Sequence, residues 1–142
     1  MEPLPLDLLA FVAEARVARL GSVDPRGRPH LVPICFVLND ATLYSVLDAK
    51  PKRVEVTALR RVRNLLANPN VQVLIDRYDE DWARLAYIQL RGAATLLQPG
   101  PEHAVALAAL RDKYLQYVAM PLDDAPMIRV AIEGWVAWRA RT

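Results

Sequence analysis

Hydrophobic and polar positions follow two rhythms along this chain, and the changes of rhythm mark its elements. Residues 6–15 place Leu8, Leu9, Val12 and Ala15 at helical spacing behind Asp7, which predicts a short amphipathic helix. Residues 17–23 alternate as a strand, and Asp24-Pro-Arg-Gly-Arg28 supplies turn chemistry. Residues 29–38 form a long apolar, β-branched run broken by Pro33. Proline donates nothing to a sheet ladder, so Pro33 should mark an edge, a bulge or a break. Asn39-Asp40 then turns the chain into residues 42–47, completing a hairpin.

A helix is predicted from a Thr57 cap to Ala67, where Asn68-Pro69 ends it. On that helix Leu59, Val62, Leu65 and Leu66 share one arc; Arg60 and Asn64 lie away from it, and Arg61 and Arg63 lie on its borders. Residues 71–75 and 86–97 read as strands joined by the acidic Asp79-Glu-Asp-Trp82. Residues 102–118 form an alanine- and leucine-rich helix, and residues 127–138 a last strand. Six strands with three helices between them, hairpins first, predict an α+β fold with a largely antiparallel sheet. So many strands in a short chain favour a closed or nearly closed barrel, which removes exposed edges.

Composition narrows this picture without redrawing it. With 142 residues, 54% apolar and 24% charged, the chain suits a single globular domain over residues 1–142 that buries its own core. Cys35 is the only cysteine, which rules out an intrachain disulfide and a cysteine metal cluster. That usage suits a reducing compartment, the first residues lack the pattern of a secretion signal, and no apolar run approaches the ~18 residues of a membrane span. The expectation is a cytoplasmic protein with no membrane partner.

Charge changes the picture more. Residues 50–63 hold six cations (Lys50, Lys52, Arg53, Arg60, Arg61 and Arg63) against Glu55 alone. The whole chain carries 18 basic and 16 acidic residues, so without this segment it would hold 12 and 15. The excess positive charge therefore sits where a strand-like run gives way to a helix. Arginines at a helix amino terminus, beside free N–H groups and the positive dipole end, suit a phosphate. The plainer reading is a solvated basic face, although such faces usually interleave both signs. Nucleic acid fits poorly, because no aromatic residues interleave with the cations and no nucleic-acid-binding motif is present.

The remaining candidates carry less. His30 and His103 read as structural or surface residues, and Cys35 as a buried small hydrophobe. Asp79, Glu80 and Asp81 read as a solvated loop in preference to a cation site. No metal site is expected. Trp82 has two readings, core packing or an interface role over a bound ring. Trp135 and Trp138, three apart on a strand, should face opposite sides.

Several motifs together resemble the pyridoxamine 5′-phosphate oxidase-like split-barrel superfamily over most of the chain. They are Arg19-Leu-Gly-Ser-Val23 with Asp24-Pro-Arg-Gly-Arg-Pro-His-Leu-Val-Pro33, then Leu43-Tyr-Ser45. Arg60-Arg-Val-Arg-Asn-Leu-Leu-Ala-Asn-Pro-Asn-Val71 and Arg91-Gly-Ala-Ala94 complete the set. The resemblance implies a six-stranded, mostly antiparallel split β-barrel with short flanking helices. It also implies a homodimer that binds FMN or the deazaflavin F420 between its subunits. Lys50-Pro-Lys52 and Tyr78-Asp-Glu-Asp-Trp82 are similar to the F420-dependent branch, so F420 is the expected cofactor and FMN the alternative. By the same resemblance Arg60 and Arg61 hold the cofactor phosphate, with Ser45 and Tyr44 beside it. Lys50 and Lys52 meet an acidic tail, and the backbone of Val32, Pro33 and Ile34 lies along the ring system. The implied activity is hydride transfer to a small organic substrate; the alternatives are an FMN-dependent oxidase or reductase and a non-catalytic cofactor binder. No residue is assigned as catalytic acid, base or nucleophile.

Overall fold

The computed structural model describes residues 1–48 and 59–140. Its elements run α1 (Leu6–Glu14), β1 (Ala18–Val23), β2 (Pro29–Ile34), β3 (Val37–Asn39) and β4 (Thr42–Val46). They continue with α2 (Arg60–Ala67), β5 (Asn70–Arg77), β6 (Ala86–Leu97), α3 (Pro101–Lys113) and β7 (Met127–Arg139). One sheet of order β2-β1-β5-β6-β7-β4-β3 is antiparallel throughout, so the α+β, split-barrel expectation holds with seven strands in place of six.

The seventh strand arises inside residues 29–38, which the sequence presents as one run. β2 pairs with β1, whereas β3 pairs with β4 at the opposite edge of the sheet. The chain crosses between the edges at Cys35-Phe36. There the Phe36 ring is fully buried, and its backbone polar groups are met by the last residue of α3 and the one after it: the Phe36 N–H donates to the Tyr114 hydroxyl at 3.1 Å, and Lys113 Nζ donates to the Phe36 carbonyl at 3.0 Å. Buried backbone groups need such partners, and here side chains from 77 and 78 residues away supply them. Pro33 sits on β2, an edge strand, where its missing N–H costs the ladder least.

The concave face of the sheet encloses the main core. Leu20 of β1, Leu43 of β4, Ile75 of β5, Leu90 of β6 and Val130 of β7 pack there with Leu8 and Val12 of α1 and Val62 of α2. Curvature comes partly from a bulge at Arg91/Gly92, where a Cβ on Gly92 would collide with the Ala131 carbonyl, so only glycine fits. A second core lies on the convex face, where Leu107 and Leu110 of α3 pack on Val37, Tyr44, Val46 and Met127. α3 ends at Lys113, earlier than its composition predicts, because Tyr114 is extended and turns its hydroxyl toward the Phe36 corner.

Trp135 and Trp138 face opposite sides as expected, Trp135 packing on the main core and Trp138 exposed against Tyr87. Among the described residues no helix is long and apolar enough to cross a membrane.

Candidate functional site

α2 starts at Arg60 with Leu59 in the N-cap position, and no side chain caps it. The expected capping residue, Thr57, lies outside the described residues, as do Lys50, Lys52 and Arg53. The first helical bond visible here runs from the Arg63 N–H to the Leu59 carbonyl at 2.9 Å, which leaves the N–H groups of Arg60, Arg61 and Val62 without helical acceptors. No acidic residue sits in the first turn to offset the dipole.

The helix is rolled relative to its expected orientation. Asn64 is buried at 3% exposure and Leu66 stands out at 60%, reversing both assignments. The Asn64 side-chain amide explains the roll, because Nδ2 donates to Ser22 Oγ at 3.1 Å on the inner face of β1. An amide that finds a buried partner outweighs one leucine left in water. The roll separates the two arginines that the family resemblance pairs. Arg61 turns toward the protein and is half-buried, and its buried Nε has no hydrogen-bond partner. An unmet buried donor of this kind costs roughly 1–3 kcal/mol, which an oxyanion acceptor would remove. Arg60 and Arg63 are exposed and point away, lining a cleft with Arg28.

The other expected contacts fall on two different faces. Val32 packs on the main core and Ile34 is buried, while Pro33 is exposed on the outer side of β2. Among the described residues β2 has a strand partner on one side only, so alternate backbone groups of Val32-Pro33-Ile34 lie outside that ladder. Tyr44 and Ser45 are both buried on β4. The Tyr44 hydroxyl is already engaged, donating to Glu102 Oε2 at 2.5 Å, and Arg129 Nε donates to the same oxygen at 2.6 Å. Burial, and then the hydrogen bond the phenol donates to Glu102, push the Tyr44 phenol up. The bonds from Tyr44 and then Arg129 hold Glu102 below the ordinary carboxylate range. Ser45 sits beside Tyr44 with its side chain on the opposite face of the strand, toward the main core.

Residues that sequence reasoning assigned elsewhere resolve simply. Asp79 and Asp81 accept backbone N–H groups of their own loop, and Asp79 also takes Arg84 Nε at 2.9 Å. Trp82 is 67% exposed, so it is not a core residue. Cys35 is half-buried beside the second core, less hidden than expected. His103 is buried, with Nε2 at 2.6 Å from the Ala125 carbonyl, and His30 keeps a buried Nδ1 without a partner. Among the described residues no cluster of His, Cys, Asp or Glu side chains is arranged to hold a metal ion.

Lys113 was not singled out from sequence. Its ammonium lies 3.8 Å from the centre of the Phe36 ring, and burial, then the nearby Arg16 charge, push it down to about 8. Only the fold could show this, because the groups around it are far apart in the chain.

The architecture is a seven-stranded antiparallel split barrel with an arginine-led helix between β4 and β5. The pyridoxamine 5′-phosphate oxidase family profile matches residues 5–139, and the chain belongs to that family. No curated protein matches the sequence significantly. Solved structures share the fold at low identity. The conserved hypothetical protein Rv2991 from Mycobacterium tuberculosis is 16% identical, with a TM-score of 0.77 over 96% of this chain and 84% of that one. An F420 reductase is 21% identical with a TM-score of 0.69, over 94% of this chain and 98% of its own. HutZ, the heme storage protein from Vibrio cholerae, is 17% identical with a TM-score of 0.71, over 96% and 94%. The fold thus hosts both redox and storage proteins, and it does not by itself select one.

Proposed function

We propose that this protein is a homodimeric oxidoreductase that uses F420, with FMN as the alternative, to reduce or oxidise a small organic substrate. The observation that carries this reading is Arg61, whose buried Nε lacks an acceptor beside an uncapped helix amino terminus. An anionic phosphate supplies what both features lack. Family membership and the likeness to an F420 reductase support the choice of cofactor class. When bound, the cofactor would supply the ring atom that gives or takes hydride, a carbon in the deazaflavin and a nitrogen in FMN.

The chain's own residues bind, orient and exclude water. Arg61 and the first N–H groups of α2 hold the phosphate. The free edge of Val32-Pro33-Ile34 offers backbone donors and acceptors to the polar rim of a ring system. Ser45 lies on the strand that leads toward α2, and Tyr44 acts through its bond to Glu102, which fixes α3 against the sheet. A second copy of the chain closes the site from the outer face of the sheet.

Fluorescence titration with FMN and with F420 tests the reading, and micromolar or tighter binding of at least one is expected. Arg61→Ala should weaken FMN binding about ten- to a hundredfold, the worth of a charge-assisted hydrogen bond. Arg63→Ala should change FMN affinity less than about twofold, since Arg63 faces the other way. Equal losses in the two variants would remove Arg61 from the phosphate, and no binding of either cofactor would end the proposal. A non-catalytic binder would pass the titration and fail a hydride-transfer assay with reduced F420.

A further inference from the structure

The turn between β1 and β2 and the outward side of α2 face each other across a cleft of about 320 Å³. It is lined by Asp24, Pro25, Arg28, Arg60, Arg63 and Asn64, three guanidinium groups against one carboxylate. That carboxylate and the Arg28 guanidinium offset each other as an ion pair, which leaves Arg60 and Arg63 as the cations that set the charge of the cleft. Asp24 Oδ1 accepts the N–H groups of Arg26 and Arg28, each at 2.9 Å, and Oδ2 accepts Arg28 Nε at 2.8 Å. The Arg28 N–H, then the Arg28 side chain, help hold the Asp24 carboxyl below the usual range, so it stays an acceptor committed to its own turn.

No acidic side chain among the described residues is paired with Arg60 or Arg63. Their placement works against the helix. Residues three apart share a helix face, so the two cations repel each other. They also lie in the first turn and at its end, where the dipole favours negative charge. Such an arrangement becomes favourable when an anion occupies the cleft, and the cleft is wide enough for a phosphate-sized group.

We infer that this cleft is an anion subsite, distinct from Arg61, that takes a phosphate or carboxylate group. The group arrives either as a free ion or as a second anion carried by the cofactor. That second source rests on the proposed function, and the first does not. Guanidinium forks from Arg60 and Arg63 engage the oxygens, and Arg28 closes the third side from the turn.

The test is calorimetric titration of inorganic diphosphate into the wild-type protein, Arg63→Glu and Arg63→Lys at low ionic strength. Titrations of FMN and of F420 with its glutamate tail run in parallel. Glutamate near a helix amino terminus is compatible with the dipole, so Arg63→Glu should stay folded, as circular dichroism would check. At least a tenfold loss of diphosphate affinity in Arg63→Glu, with Arg63→Lys within about threefold of wild type, is expected for a free-ion site. A tenfold loss of F420 affinity with FMN unchanged identifies the anion as part of the cofactor. If Arg63→Glu alters neither diphosphate nor F420 binding, the inference is overturned. If no cofactor binds the wild-type protein, the proposed function falls and the diphosphate titration alone decides the cleft.

Discussion

The convex face of the sheet is treated differently at its two ends. At one end α3 covers it, so that Leu107, Leu110 and Tyr114 meet Val37, Val46 and Met127 in a second core. At the other end no described helix lies on it. There, register places Leu31, Gly21, Gln72 and Arg91 in one row, and Pro33, Arg19, Leu74, Gln89 and Val136 in the next. Leu31 is 70% exposed, Val136 56% and Trp138 46%. Strand alternation is the same at both ends, yet one set of apolar outward residues is buried by the chain itself and the other is not. An outward face that carries exposed Leu31, Leu74, Val136 and Trp138 among arginines and glutamines, next to a strand edge, is where a second copy would add most. The contrast gives the α3 end to stability, and on the proposed homodimer it gives the bare end to assembly.

The largest effect that would break this contrast is a cavity at the covered end. Leu110 is fully buried, and Leu110→Ala should cost about 2–5 kcal/mol in urea unfolding. A loss below about 1 kcal/mol would mean that α3 is a loosely held accessory. Next is Val136→Glu at the bare end. Sedimentation velocity should show dimer in the wild type and monomer in the variant at the same concentration. The monomer should keep the wild-type circular dichroism spectrum, because Val136 makes no use of the core. Identical sedimentation of the two proteins would deny the bare face an assembly role.

Sequence patterns located the strands but could not say which outward residues would be covered. Alternation sorts residues onto faces, whereas covering a face depends on where a distant helix docks. The Phe36 corner shows the same limit. A continuous apolar run hides a crossover, because the partners that make the corner affordable, Tyr114 and Lys113, lie far along the chain. The α2 face was misjudged because a helical wheel treats asparagine as polar and leucine as buried. The Ser22–Asn64 bond inverts that order and splits Arg61 from Arg60. What did survive from sequence was the family and the end of the basic helix at Ala67, while the helix starts at Arg60 behind Leu59. Both rest on local motifs, and neither requires knowing how the helix is rolled.

The smallest effect sharpens the covered end and concerns how α3 is tied to β4. Tyr44 and Arg129 converge on Glu102, so α3 is held by a charge-assisted bond as well as by packing. Tyr44→Phe removes the bond and keeps the ring in the second core, and about 1 kcal/mol of stability should be lost at neutral pH. The pH dependence fixes the cause. The pKa of Glu102 is depressed in the folded protein, so its contribution is present above the ordinary carboxylate pKa and is lost as pH falls through the lower, folded value. The stability gap between wild type and Tyr44→Phe should therefore hold from about pH 7 to 5 and narrow below about pH 4. A gap that is unchanged at about pH 3 would show that the hydroxyl acts through packing alone, with no dependence on the Glu102 charge.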